Sequence, residues 1–280
     1  MPMQDDVKKW WRTEIIEMHP GHIAMRGYSI EDLIENVSFV DMIWLMTRGD
    51  LPSCGERELL ECALVSSVDH GPQAPSIAAS RMAVTCGLGL NGALASAVNM
   101  LDDVHGGAGE QAVELFHSID DYRQENHVSV EQAVAAIVPD WTEKNGKIIP
   151  GFGHRFHKDG DPRAPILLGC VEKAVEQGSV EGRFAKIAIA LQGYIEEQKG
   201  TFLPLNIDGA TAVIYAELGF APALARGLFC LSRSVGILSH AWEQQQQGGR
   251  NKGPTPPAYR WKYDGKAPRR TSDTKGKSSS

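Results

Sequence analysis

Residues 29–52 read SIEDLIENVSFVDMIWLMTRGDLP, and this stretch decides the fold class. Ser29 precedes Ile-Glu-Asp as a helix N-cap, because its hydroxyl can accept from a first-turn N–H that has no partner inside the helix. Leu33, Ile34, Val37 and Val40 follow at helical spacing. The apolar run continues from Phe39 to Thr47 and ends in RGDLP, where Gly49 and Pro52 break it. Ser53 caps the next helix, with Leu59, Leu60, Ala63, Leu64 and Val68 on one face. The same pattern repeats outward along the chain. Residues 76–101 predict a buried helix or helix pair loosened around Gly87, Gly89 and Gly92. Helices are also predicted over Gly109–His117, Ser129–Val138, Pro162–Val175, Gly182–Gln198, Asp208–Leu218 and Pro222–Gln247. Alternating β-branched runs are scarce, and Tyr28 and Ile148-Ile149 are the best short-strand candidates. The fold class read from these signals is all-α.

The 280 residues suffice for one or two domains with a sizeable core. Hydrophobic residues make up 42% and charged residues 22%, an ordinary globular balance that excludes wholesale disorder. No apolar run reaches the roughly 18 residues a membrane span needs, and MPMQDDVKKWW lacks the apolar core of an export signal. A cytoplasmic location is therefore expected. The net charge is −7, and the last fifteen residues hold five basic groups and one acid, or +4. Residues 1–265 thus carry −7 − 4 = −11. So acidic a body argues against nucleic-acid binding, and an anionic ligand needs a local basic cluster. Cys54, Cys62, Cys86, Cys170 and Cys230 form no C-x-x-C pair and are read as buried free thiols in a reducing compartment. Gly248–Gly265 is too rich in Gly and Pro for a helix and reads as an extended arm carrying Tyr259, Trp261 and Tyr263.

Four stretches place polar groups at glycine-flanked breaks between apolar helices, where backbone can approach a ligand closely. They are DHGPQAPS (69–76), DVHGGAGE (103–110), PGFGHRFHKDGDPRAP (150–165) and LNIDGATAV (205–213). Together they supply His70, His105, His154 and Asp208. Making or breaking a C–C bond beside a thioester needs such an inventory. A carboxylate must move a proton at a weak carbon acid, a neutral donor must hold the thioester oxygen, and a third group must polarise the partner carbonyl. Asp208 suits the base, and His105 and His154 suit the two donors. Arg163 and Arg233 offer guanidinium forks for substrate carboxylates.

Five motifs in order resemble the citrate synthase superfamily, and within it citryl-CoA lyase and the lyase module of ATP-citrate lyase. PGFGHRFHKDGDPRAP resembles the GHR…DPR signature, and HGGAGEQAVELF is similar to the HGGAxE stretch of bacterial citrate synthases. LPLNIDGATAV resembles the LNVDG segment of ATP-citrate lyase, and FCLSRSVGILSHAWEQ the arginine-bearing helix of both groups. VDHGPQAPS is similar to the lyase form, ADHGP. The resemblance runs over roughly residues 13–265, with an N-terminal hairpin near Ile15 to Tyr28.

The resemblance implies a two-domain, citrate-synthase-like helical subunit. Residues 1–140 and 205–265 would form the large domain, 141–204 the small one, and 266–280 a disordered basic tail. It implies that His105 bonds the thioester carbonyl, His154 the hydroxyl or keto oxygen at the cleaved carbon, and Asp208 exchanges the methyl proton. His70 would contact the citryl hydroxyl and a carboxylate, with Arg163 and Arg233 on carboxylates. Arg155 and Lys158 would lie near the CoA phosphates. His117, His127 and His157 have no family role and are expected at the surface, and His240 is expected packed. The implied reaction is cleavage of citryl-CoA to acetyl-CoA and oxaloacetate, with coenzyme A as thioester and no metal. Partners are an acyl-CoA and an oxo acid, with no nucleic acid and no membrane, and a homodimer or larger homo-oligomer. The alternatives are a citrate or 2-methylcitrate synthase and a non-catalytic acyl-CoA-binding subunit. Three departures bear on the choice. The chain is shorter than a full citrate synthase. His105 stands where ATP-citrate lyase has Phe. Gly253-Pro254 stands where the synthase arm has Arg-Pro, with Arg250 and Lys252 nearby.

Overall fold

The computed structural model describes residues 10–153 and 160–271. His154, Arg155, His157 and Lys158, and most of the basic tail, for which roles are expected above, lie outside these described residues. The chain is mainly helical, as the patterning predicts, and adds a small N-terminal sheet where the resemblance implies a hairpin and where Tyr28 reads as a strand candidate. Strands β1 (Ile16–His19), β2 (His22–Met25) and β3 (Tyr28–Ser29) pair antiparallel in that order, with His19 opposite His22 and Met25 opposite Tyr28. They are too short to show alternation, and the turn chemistry of Pro20-Gly21 and Arg26-Gly27 marks them. Ile148-Ile149 is not a strand; Ile149 is buried in the helical core while Ile148 is exposed.

Residues 29–52 form two helices and not one continuous run. Ser29 caps α1 (Ile30–Asn36), accepting from the Asp32 N–H. A second cap at Ser38, reciprocated by Asp41, starts α2 (Phe39–Arg48), which ends at Gly49 in the left-handed region. This capping box satisfies two backbone donors and outweighs the apolar spacing through Val37. Ser53 and Glu56 cap α3 (Cys54–Ser66) in the same way. The paired reading of 76–101 is right: α4 (Pro75–Thr85) and α5 (Leu90–Val98) flank a break at Gly87. Next come α6 (Ala108–Asn126), α7 (Val130–Asn145), α8 (Arg163–Glu176), α9 (Arg183–Lys199), α10 (Ile207–Glu217) and α11 (Pro222–Gln247). Helices α6 and α7 run further than their patterns indicate, and α7 tolerates Pro139 in its interior.

Helix α10 lies at the centre, buried at Ile207 and continuously from Gly209 to Ala216. A helix apolar all round must be surrounded, and α10 packs against α6, α8, α9 and α3. Phe116 and Ile119 of α6, Phe184, Ile187 and Leu191 of α9, and Phe220 complete that core. Ala74, Ile77, Ala97, Leu101 and Ile237 form a smaller core between α4, α5 and α11. On the other face of α11, Leu231, Val235, Leu238 and Trp242 are exposed. The arm from Gly248 is irregular, as predicted. Its first residues dock on their own chain, through Asn251 N–H to Thr85 O (2.7 Å) and Lys252 N–H to Thr85 Oγ1 (3.0 Å). Tyr259, Trp261 and Tyr263 remain exposed.

The cysteines are free, but the expectation that they are buried fails. Cys54 and Cys86 are exposed, and Cys62, Cys170 and Cys230 are half-buried at helix interfaces. Burial, reinforced by the neighbouring Cys170, pushes the Cys62 thiol up to about 12. His117 also departs from the surface reading, since it packs edge-on against Phe184 at 5.0 Å.

Candidate active site

Asp208 sits in the first turn of α10, where its backbone is held by an unusually complete cap. The Asn206 side chain accepts from the N–H groups of Asp208 (2.9 Å) and Gly209 (3.1 Å). Its amide donates to Gly153 O at 2.7 Å. Asn206 N–H also donates to Gly151 O, and Gly153 N–H to Pro204 O. The segment entering residue 154 is therefore clamped to the cap of the helix that carries Asp208. The clamp needs glycine at both faces, because a Cβ on Gly151 would lie 2.7 Å from Gly209 Cα.

Arg163 opens α8 and is already committed. Its Nε and NH2 fork onto the two oxygens of Asp161 at 3.0 and 2.8 Å, and NH1 donates to Ser66 O at 3.3 Å. Asp161 is 2% exposed and also accepts from Ile207 N–H. The Asp-Pro-Arg motif thus ties α8 to the start of α10 and the end of α3. Arg163 also borders a cavity of about 500 Å³ walled by Val65, Ile166 and Leu167.

His105 lies in the loop before α6. Its Nε2 accepts from the backbone N–H of Ser76 at 3.2 Å, with the Ser76 hydroxyl 2.9 Å away. Ser76 is in the first turn of α4, whose N-cap residue Ala74 has no capping side chain, so the imidazole takes that place. A nitrogen that accepts from a backbone N–H carries no proton. The ring is then the Nδ1–H tautomer, with Nδ1 left to donate. Burial, and secondarily the charge of Arg233, hold the His105 pKa below the ordinary imidazole value. Both effects favour the neutral ring. Arg226 fixes the loop itself, bonding Asp102 and Asp103 at 2.5 Å each and pairing with Glu110.

His70 lies in the loop after α3, and α11 holds that loop at three successive points. Arg233 Nε donates to Ser67 O at 2.9 Å, Gly236 N–H to Val68 O at 3.1 Å, and His240 Nε2 approaches Asp69 Oδ1 at 3.2 Å. A side chain on Gly236 would collide with the Val68 carbonyl. Burial raises the Asp69 carboxyl, but the Gly71 N–H and His240 outweigh it and hold it below the usual range. His240 is packed as expected, and Arg81 adds a contact at 3.2 Å to its Nδ1.

Arg233 is where these loops meet. It is 5% exposed, with its guanidinium over the Phe229 ring at 4.9 Å. Burial lowers its pKa, while Asp208 and Asp69 act on it in the opposite sense. Among the described residues its terminal nitrogens make no hydrogen bond, unlike those of Arg163. The structure therefore brings together Asp208, His105, Arg233 and the His70 loop. Sequence reasoning missed Ser76, Asn206, Asp161, Arg226 and the Asp69–His240 pair. Asn206 and Asp161 had a signal, as side chains able to cap a helix start, whereas Arg226 and His240 become neighbours of their partners only through folding.

Residues 55–257 match the sequence family described as citrate synthase, C-terminal domain. Citrate synthase of Haloferax volcanii is 28% identical over 222 residues, covering 79% of this chain and 55% of that protein. The chain spans about half the length of the curated relatives it matches. Among solved structures, citryl-CoA lyase from Hydrogenobacter thermophilus superposes with a TM-score of 0.81 at 32% identity, covering 93% of this chain and 97% of that one. Citrate synthase from Thermoplasma acidophilum, solved with carboxymethyl coenzyme A and oxaloacetate, gives 0.67 at 26%, covering 83% and 58%. With most of its helical core inside the matched range, the chain belongs to the citrate synthase family and shares its fold with citryl-CoA lyase.

Proposed function

We propose that the protein cleaves citryl-CoA to acetyl-CoA and oxaloacetate through an enol intermediate. The observation that carries this reading is the neutral, tautomer-fixed His105 meeting Asp208 and Arg233 at one focus. As the C–C bond breaks, its electron pair moves toward the thioester, and the oxygen that gains charge takes the His105 Nδ1 proton, which returns to Nδ1 when the carbonyl re-forms. The hydroxyl at the cleaved carbon becomes the keto group of oxaloacetate and gives up its proton on the side assigned by resemblance to His154. Asp208 delivers a proton to the methylene carbon, completing the methyl group of acetyl-CoA. Arg233 holds a carboxylate of the oxo acid, and His70 the hydroxyl side. Arg163 acts on the ligand through the loop it braces, and Arg155 and Lys158 serve the CoA phosphates. The closer likeness to the lyase than to the synthase supports the lyase direction. Condensation of an acyl-CoA with oxaloacetate is the second reading, which the likeness to two citrate synthases favours.

The site is read as lying between a large domain (1–140 and 205–265) and a small one (141–204), in a homodimer or larger assembly. The exposed stripe of Leu231, Val235, Leu238 and Trp242 and the uncovered aromatics of the arm support assembly. Light scattering that finds only monomer at micromolar protein counts against it. The function is tested by supplying citryl-CoA and following acetyl-CoA and oxaloacetate, and separately acetyl-CoA with oxaloacetate and following free CoA and citrate. Lyase activity gives the first products and no CoA in the second arm; CoA release in the second arm makes it a synthase. Asp208→Asn should lower turnover by about 10²–10⁴-fold and stop solvent deuterium entering the acetyl methyl. Wild-type exchange in that variant removes Asp208 from the role.

A further inference from the structure

Three metal-type donors converge at the tip of the N-terminal hairpin, outside the site described above. Side chains alternate along a strand, so Glu17 and His19 share one face of β1. The register sets His22 opposite His19 across the two-residue turn Pro20-Gly21. Gly21, at φ 78°, supplies the positive φ that such a turn needs after proline. The His19 and His22 rings stack with centroids 4.5 Å apart and planes 17° from parallel. Glu17 reaches between them, with Oε1 4.0 Å from His19 Nε2 and Oε2 3.8 Å from His22 Nε2. One ligand atom from each of the three lies within 4.8 Å of the others.

These separations are too long for hydrogen bonds, and among the described residues none of the three side chains makes one. Two stacked imidazoles and a carboxylate thus bring one donor atom each within 4.8 Å of the others without hydrogen-bonding one another. Ligands about 2.0–2.2 Å from one ion lie roughly 3.3 Å apart in a tetrahedron. The donors stand about an ångström outside that arrangement, a gap that side-chain rotation closes while the paired strands hold the backbone. An adjoining recess of about 660 Å³, lined in part by Ile30 and Glu31, leaves room for water ligands.

We infer that Glu17, His19 and His22 form a surface site for one first-row divalent metal ion of the Zn²⁺ class. Two nitrogens and one oxygen suit Zn²⁺, Co²⁺, Ni²⁺ or Cu²⁺, whereas Mg²⁺ and Ca²⁺ demand oxygen-rich shells. No metal is expected from the sequence, where Glu17, His19 and His22 match no ligand motif; the register of the hairpin brings them together. The site is independent of the citryl-CoA reading, and C–C cleavage does not require it.

The test is calorimetric titration of the untagged full chain with Zn²⁺ at neutral pH, repeated with Co²⁺ by visible absorption. One equivalent is expected to bind, without the intense near-ultraviolet band that cobalt–thiolate bonds give. His19→Ala and His22→Ala should each weaken binding by at least about tenfold, with unchanged far-ultraviolet circular dichroism and turnover. Glu17→Gln, which perturbs the hairpin least, should also weaken it. The proposal is overturned if the parent binds no Zn²⁺, or if the His19→Ala/His22→Ala double variant binds it with the parent's stoichiometry and affinity.

Discussion

The start of α8 and the middle of α11 each bring an arginine to the site, and the two are in opposite electrostatic states. Arg163 lies in a bidentate pair with Asp161, which is itself enclosed and bonded to the start of α10. Among the described residues Arg233 donates only its Nε, to a carbonyl, and it faces Asp208 and Asp69 across the site. Both occur in arginine motifs of the same family signature, so sequence assigns them one role. The difference comes from what each helix brings beside the guanidinium. Asp161 is two residues from Arg163 in the chain, whereas the carboxylates near Arg233 arrive from other elements. A pre-neutralised arginine braces a loop, and an unpaired buried one is available to an anion.

The largest effect that separates the two is on stability. Arg163→Ala leaves the Asp161 carboxylate buried without its counter-charge, which costs about 3–5 kcal/mol. Urea unfolding should show that loss, and Asp161→Asn in the same chain should recover part of it. Should Arg163→Ala keep full stability while losing oxo-acid affinity, the pair opens on binding and the contrast between the two arginines disappears.

Arg233→Lys comes next. It keeps the charge and most of the packing but loses the fork, so the carboxylate-bearing product should bind about 1.5–3 kcal/mol more weakly, roughly 10–150-fold. Acetyl-CoA should lose much less. Equal losses for both ligands by calorimetry make Arg233 a brace like Arg163.

Local patterning made the fold class legible. Apolar spacing and serine caps placed the helices, although the Ser38–Asp41 box divided a stretch whose spacing read as one run. The N-terminal hairpin was legible through the family resemblance and the strand signal at Tyr28, and not through periodicity, because four-residue strands carry no period. Asp208 and His105 were legible because each sits beside a glycine that the packing requires, Gly209 against Gly151 and Gly106 against Phe229. Their state was not legible. That His105 is neutral with a defined tautomer depends on the N-terminus of α4, twenty-nine residues away, and that Arg163 is neutralised depends on side-chain geometry.

The smallest expected effect distinguishes the two arginines through His105. Burial lowers that imidazole first, and Arg233 adds to it by repelling the imidazolium; Arg163 does not contribute. Removing the Arg233 charge, as in Arg233→Met, should raise the His105 pKa part of the way to the ordinary value of about 6.5, since burial persists. The Arg163→Ala variant should leave it unmoved. The His105 ring proton, titrated by nuclear magnetic resonance, reads this directly. The same shift has a sign in stability. In the parent, the unfolded chain takes up a proton at this residue at a higher pH than the folded one does. The contribution of neutral His105 is therefore present above the unfolded pKa and lost as pH falls through the folded pKa. In Arg233→Met the two values approach each other, so that window narrows, and the acid limb of turnover moves to higher pH. An unchanged His105 titration in Arg233→Met, or an equal change in Arg163→Ala, shows that the guanidinium of α11 does not single out His105.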